Sequence, residues 1–331
     1  MRPLVLNFSF LLVSVMVLIP FLPAFPFSEN AALVLLLFAL VTTGIPHGAI
    51  DHVIFAANYK ASSGKEFHLG RQFFLPYLLL LSITFLVWLI APAVMFWLFL
   101  LVSAYHFGQS QLFHVRFSEK SLRKTILYIS WGMCWLGSLW LFHWEDQVAI
   151  IQSVFSWNLS TGGIIYQMVL ASAAIGATLT ISILGICLYH KQISTPLFLQ
   201  EVLVLLFLLF VNYYFHLYIA FALYFGLWHA LRVILTEYHF LEQQSGPNLR
   251  PVAFIKSFLP FSLLSFAGLG LLIGVSFLLQ NKVAPFMLFL IFISALTMPH
   301  AVCMFFMYKN IRVKEPEAPG TISLSAGQQP C

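Results

Sequence analysis

Apolar runs of about twenty residues follow one another along this chain, separated by short segments that gather its charges, prolines and glycines. A helix rising 1.5 Å per residue needs about 20 apolar residues to cross a hydrocarbon layer of ~30 Å. That ruler predicts ten membrane-spanning helices: 4–25, 31–57, 73–91, 93–114, 125–143, 163–189, 196–212, 215–236, 253–279 and 284–308. The run from Pro196 to Val233 is too long for one crossing, so a turn is placed near Asn212, Tyr213 and Tyr214. Spans three and four join tightly at Ala91 and Pro92. The expected fold is an all-α polytopic bundle, one domain over residues 1–312. A tail rich in Pro, Gly, Ser and Gln, 313–331, is expected to be disordered.

Charge placement agrees with this count. If the N-terminus lies inside, 15 of the 16 Lys and Arg residues fall in cytoplasmic segments and only Lys282 lies outside. Basic residues collect on the cytoplasmic side of membrane proteins, so both termini are expected there. Composition closes the other classes. Hydrophobic residues make up 61% of the chain and charged residues 8%, against about 25% charged in an ordinary globular domain. A mean hydropathy of +0.93 over the whole length leaves no polar block able to fold alone. The net charge of +5 therefore reflects loop orientation, not nucleic-acid binding. Four cysteines without a paired framework indicate neither zinc nor disulfides. Arg2 and the apolar run behind it read as an uncleaved first span, because no small-residue cleavage site follows.

The informative residues are the eleven histidines. His68, His114, His190 and His239 fall at cytoplasmic span ends, and His143 and His216 at outer ends, where interfacial solvation is expected. His47, His106, His229 and His300 lie within spans two, four, eight and ten, all running from outside to inside. They precede the next charged or interfacial residues, Lys60, Arg116, His239 and Lys309, by 9 to 13 positions. This sets all four at ~14–20 Å from the inner boundary, near the midplane. Polar groups at such depth are costly and mark function. Each histidine alone fits a buried, hydrogen-bonded side chain; four from four helices at one depth predict a metal site. Imidazole suits Zn, Cu, Fe and Ni. Nothing near supplies the general base of zinc hydrolysis, which favours iron over copper and zinc.

Asp51 follows His47 by four positions on one helix face and can accept the second ring N–H of a ligating histidine. His52, one turn deeper than the boundary, is grouped with it. Pro46 and Pro299 precede His47 and His300, and proline kinks a helix by freeing a carbonyl. The interior is aromatic, with 35 Phe, 12 Tyr and 8 Trp. Those residues serve as packing, or else line a tunnel for a lipid-soluble substrate, with Tyr105, Tyr224 and Trp228 beside the histidines.

Four strings carry a resemblance: Gly44-Ile-Pro-His-Gly-Ala-Ile-Asp-His52, Tyr105-His-Phe-Gly108, Tyr224-Phe-Gly-Leu-Trp-His-Ala-Leu-Arg232 and Thr297-Met-Pro-His300. In this order, over residues 44 to 300, they resemble the Brp/Blh family of bacterial and archaeal β-carotene dioxygenases. The resemblance implies a multi-span enzyme of a prokaryotic cytoplasmic membrane. It would cleave β-carotene, or a related carotenoid, at its central double bond with dioxygen, using Fe(II), to give retinal-type aldehydes. By motif, His47, His106 and His229 become iron ligands, and His300 matches the family's late Pro-His. Members carry a further histidine four residues after the one matching His229, where this chain has Val233. Either His300 completes the ligand set or three protein ligands remain, with Val233 expected to face the same cavity as His229. The expected partners are a carotenoid, O2 and membrane lipid. The competing classes are a transporter or channel using a histidine relay, and a scaffold that keeps the fold without catalysis.

Overall fold

Each apolar run becomes a helix because a backbone out of reach of water must satisfy its N–H and C=O groups within its own segment. The computed structural model describes residues 14, 28–63, 67–115, 117, 121–152, 154, 155, 157, 159–245, 249–278 and 285–311. Among these, nine helical stretches are long and apolar enough to cross a membrane. They match the second to tenth expected spans. The first, 4–25, lies outside the described residues but for Ser14, as does the tail 313–331.

In chain order the helices are α1 (Glu29–Ala39), α2 (Asp51–Ser63), α3 (Leu75–Ile90), α4 (Pro92–Leu112), α5 (Leu122–Phe142), the short α6 (Trp144–Gln152), α7 (Ile164–Tyr189), α8 (Thr195–Tyr214), α9 (Leu217–Phe221), α10 (Leu231–Ser245), α11 (Pro251–Leu278) and α12 (Pro285–Asn310). The ends follow local chemistry. Ser28 Oγ accepts the Ala31 N–H at the start of α1, and Ser194 Oγ accepts the Leu197 N–H at the start of α8. Proline lies in the first turn of α4 and α8, where its missing N–H costs nothing. The turn expected at Ala91 appears there, and the one expected near Asn212, Tyr213 and Tyr214 falls slightly later, at Phe215–His216, because those three residues remain helical.

Three spans depart from regular α-helix, one of them only in a π-helical turn, Leu69–Phe74, that leads directly into α3; the other two bear on the site. Between α1 and α2 the chain passes through a π-helical turn, Leu40–Gly44, and a 3-10 turn, Pro46–Gly48. Between α9 and α10 it forms nine residues of π-helix, Ala222–Ala230. These irregular segments pack on each other. Thr43 Oγ1 donates within hydrogen-bond range of both Ala39 O (3.0 Å) and Gly226 O (2.9 Å). A Cβ at Gly226 would stand 2.5 Å from the Ala39 Cβ, so only glycine admits this approach.

The core gathers around α4, α5 and the Ala222–Ala230 segment, with Trp131, Trp135, Tyr224 and Trp228 among its largest buried side chains. Outward positions such as Leu89 and Leu271 are equally apolar, a surface suited to hydrocarbon. With no apolar contrast to drive packing, close approach and polar ties join the helices. A Cβ on Gly108 of α4 would lie 1.9 Å from Tyr128 O of α5. Asn212 Nδ2 donates to Ser138 Oγ at 2.8 Å, tying α8 to α5, and Trp88 Nε1 donates to Ser294 Oγ at 2.6 Å, tying α3 to α12. The helix α11 stands apart, with only Phe254 and Ser262 buried.

Two histidines expected at solvated span ends are buried instead. His143 sets its ring nitrogens 2.9 Å from Leu139 O and 2.7 Å from Phe215 O, covering a helix end that water would otherwise serve. His114 Nε2 lies 3.4 Å from Glu201 Oε1.

Candidate metal centre

The structure brings His47, His106, His229 and His300 together, all buried. Their rings form a closed cycle, each nearly perpendicular to the next. Centroids are 4.9 Å apart for His47–His300, 5.0 Å for His300–His106, 5.0 Å for His106–His229 and 5.4 Å for His229–His47. One ring nitrogen from each of His47, His106 and His300 lies within 4.8 Å of the other two. That is close to twice the ~2.0–2.3 Å bond of a first-row ion to nitrogen. His229 falls outside this mutual spacing and closes the cycle through its ring.

Backbone irregularity places two of the four. His47 sits on the 3-10 turn behind Pro46, and His229 near the end of the π-helical segment. Departures from α-helix of both kinds, the tighter 3-10 turn and the wider π-helical turn, recur at functional sites. His106 rides on α4 and His300 follows Pro299 inside α12.

Hydrogen bonds fix how the rings present themselves. His47 Nδ1–H donates to Gly44 O at 2.5 Å, and His300 Nδ1–H donates to Asp51 Oδ1 at 2.8 Å. Ser110 Oγ gives its own proton to Phe107 O (2.9 Å), so at 3.1 Å it accepts from His229 Nδ1–H. Three rings are thus tethered through Nδ1 and keep an Nε2 lone pair. Nε2 of His106, His229 and His300 is buried with no hydrogen-bond partner. Such orphaned acceptors are costly in an apolar interior unless something binds them, and tethered imidazoles are how proteins orient metal ligands. The donor set therefore fits a metal that accepts neutral nitrogen.

Asp51 supports His300 and not His47, because the 3-10 turn breaks the helical spacing between residues 47 and 51. Its Oδ2 accepts from Tyr77 O–H at 3.2 Å. His52 is half-buried and packs on Phe261, ring centroids 4.4 Å apart, without touching the four rings.

Two apolar chambers meet at the histidines, sharing His47, His300, Phe225, Ile293 and Thr297. The larger, about 350 Å³, runs between α2, α3, α11 and α12 and includes His52 and Tyr77. Its lining reaches Leu78 and Leu264, which are 55% and 66% exposed, so it opens on the outer face of the bundle between α3 and α11. The smaller, about 70 Å³, extends past Phe96, Trp140 and Leu217 to Gln147 of α6 and has no exposed residue in its lining.

Tyr105, Tyr224, Trp228 and Val233, expected to line the cavity, line neither chamber. Tyr224 stacks on Trp135 at 3.5 Å, Trp228 Nε1 donates to Gln111 Oε1 at 3.2 Å, and Tyr105 packs against Tyr128. Val233 is buried in a separate cluster with Ile50, Ile54 and Met304.

Sequence reading missed a second polar group below the histidines. Gln111 Nε2 donates to Glu201 Oε2 at 2.7 Å, Arg232 Nη1 donates to Gln111 Oε1, and His114 reaches the other Glu201 oxygen. Glu237 on α10 is fully buried with neither oxygen hydrogen-bonded. A carboxylate inside an apolar run was the available signal for Glu201, whereas Glu237 falls just past the expected span end at 236 and carried no such signal.

Comparison with known proteins supplies a family. A family model described as beta-carotene 15,15'-dioxygenase matches residues 38–308. A protein named beta-carotene 15,15'-dioxygenase, from uncultured marine bacterium 66A03, is 26% identical over 274 residues, covering 82% of this chain and 92% of that protein. No solved structure matches.

Proposed function

The chain belongs to the beta-carotene 15,15'-dioxygenase family, and from that premise we propose that it splits a carotenoid with dioxygen at a central double bond, at Fe(II) held by His47, His106, His229 and His300. The observation that carries this reading is the position of the four imidazoles at the meeting point of two apolar chambers. A long, rigid polyene lying through both has its middle beside the free Nε2 atoms. Bound ferrous iron supplies the activation of dioxygen, a chemistry that no side chain here provides.

The chain's own contribution is orientation and dryness. The tethers to Gly44 O, Asp51 and Ser110 hold three imidazoles in one tautomer with Nε2 inward. Phe225, Ile293 and Thr297 belong to both chambers and fix the polyene where it passes the ring. Apolar walls keep water from the reacting bond. The larger chamber's opening between α3 and α11 lets a substrate dissolved in lipid enter without crossing water. We place the protein in a prokaryotic cell membrane with both termini cytoplasmic, on the distribution of its basic residues. A histidine relay needs titratable groups in succession across the span; this closed ring at one level favours the enzyme.

The test is metal analysis of detergent-purified protein, followed by chromatography of the products formed from β-carotene in air. One iron per chain and two retinal molecules per carotene are expected. Protein that binds no metal, or binds iron and leaves every carotenoid intact, overturns the reading.

A further inference from the structure

All four ring histidines line the smaller chamber, whereas only His47 and His300 line the larger one. The space that the four imidazoles share therefore opens on the smaller chamber. Two hydroxyls stand there. Ser103 precedes His106 by three positions on α4, and Thr297 precedes His300 by three positions on α12. Side chains of a helix lean toward its N-terminus, so each ring lies over the turn that carries the hydroxyl. Helices α4 and α12 are the third and ninth of the described crossings and run in the same direction. Ser103 and Thr297 consequently sit on one side of the ring, beside two histidines whose centroids are 5.0 Å apart.

The Ser103 hydroxyl is also the exception among its kind. Of the five buried serines among the described residues, Ser130, Ser138, Ser262 and Ser294 donate to a carbonyl of their own helix, at 3.1, 2.8, 3.0 and 2.7 Å. Ser103, 2% exposed, makes no such bond, and its Oγ has no partner. A hydroxyl kept from water and from its own helix costs free energy unless a ligand bonds it. The middle of a polyene offers no hydrogen-bond acceptor. Dioxygen does, and it gathers negative charge as it is activated, which well-placed donors stabilise.

We infer that Ser103 and Thr297 form the binding site for dioxygen beside the metal, each donating a hydrogen bond to it. This rests on the iron-dependent reading above. Thr297 lies where both chambers meet, so the gas is held between the four imidazoles and the double bond it attacks. Ser103 lines the smaller chamber only and receives the molecule on that side.

The experiment uses the full chain in detergent, without carotenoid, with azide in place of dioxygen and cobalt(II) in place of iron. The visible absorption of cobalt reports both its own binding and that of the anion. Wild type is expected to take up cobalt and then azide. Ser103→Ala and Thr297→Val are each expected to weaken azide binding about tenfold or more, as loss of a hydrogen bond to a charged group does, and to leave cobalt affinity within about twofold. Thr297→Ser, which keeps the hydroxyl, is expected to bind azide as wild type does. If one variant does not fold, the other carries the test. Azide affinity unmoved by loss of either hydroxyl overturns the assignment and leaves the metal site standing. Cobalt affinity that falls as far as azide affinity also overturns it, since Ser103 then serves to hold His106, the one ring without a tether. Wild type that binds no cobalt removes the iron reading and this inference together.

Discussion

Two groups of buried polar side chains share the core of this bundle and are wired in opposite ways. In the lower group, Gln111, Glu201, Arg232, Trp228 and His114 face one another, and their donors and acceptors are largely spent within the group. In the histidine ring each tether runs outward, to Gly44, Asp51 or Ser110, and the inward nitrogens are left bare. The first pattern joins α4, α8 and α10. The second reserves a place for something the chain does not itself supply. Polar burial alone does not mark a functional site; the direction of the unused valence does.

The comparison breaks if the two groups respond alike to substitution. The largest effect is expected from His106→Ala, whose ring has no tether and whose loss removes a donor outright: metal content by elemental analysis, and product formation with it, should fall to background. Retention of full metal occupancy would show that the ring is only packing. Glu201→Leu leaves Arg232 and His114 without their carboxylate. Breaking a buried charged pair costs about 3–5 kcal/mol, so the denaturation midpoint should drop sharply while the folded fraction still binds metal stoichiometrically. A loss of metal without a loss of stability would make the lower group part of the site.

Smaller changes sharpen the contrast. Asp51→Asn keeps a hydrogen-bonding side chain beside His300 but removes the charge that makes its Nε2 a strong donor. Metal affinity, measured by competition with a chelator, should weaken by about 10–100-fold with little change in thermal midpoint. Ser110→Ala removes one neutral hydrogen bond to His229, worth about 1 kcal/mol, and should show as a few-fold weakening of metal affinity alone. An effect as large as that of His106→Ala would mean that Ser110 takes part directly.

Much of the fold could be read from the chain because hydrocarbon thickness and helical rise convert length into crossings. Ala91–Pro92 and Phe215–His216 fall where the run lengths require breaks. The convergence of the four histidines followed from depth, since equal depth on four helices is a geometric statement. Faces were harder. Hydropathy does not sense whether a carbonyl bonds four or five residues on, so the π-helical segments at Leu40–Gly44 and Ala222–Ala230 were invisible, and the side-chain directions of Tyr224, Trp228 and Val233 with them. Asp51 was found by its spacing to His47, yet its partner lies 249 residues away on α12. Glu201 lies inside an apolar run and Glu237 just past the end of one, and neither run length nor depth tells which side chains a buried carboxylate meets.

The meeting of the two chambers has a consequence for traffic. They join at His47, His300, Phe225, Ile293 and Thr297, and the larger one opens between α3 and α11. On the proposed reading, both fragments of a cleaved carotenoid form at that junction. A fragment leaving between α3 and α11 uses the gap by which the next substrate arrives, so product accumulating in the surrounding lipid competes with fresh substrate for one passage.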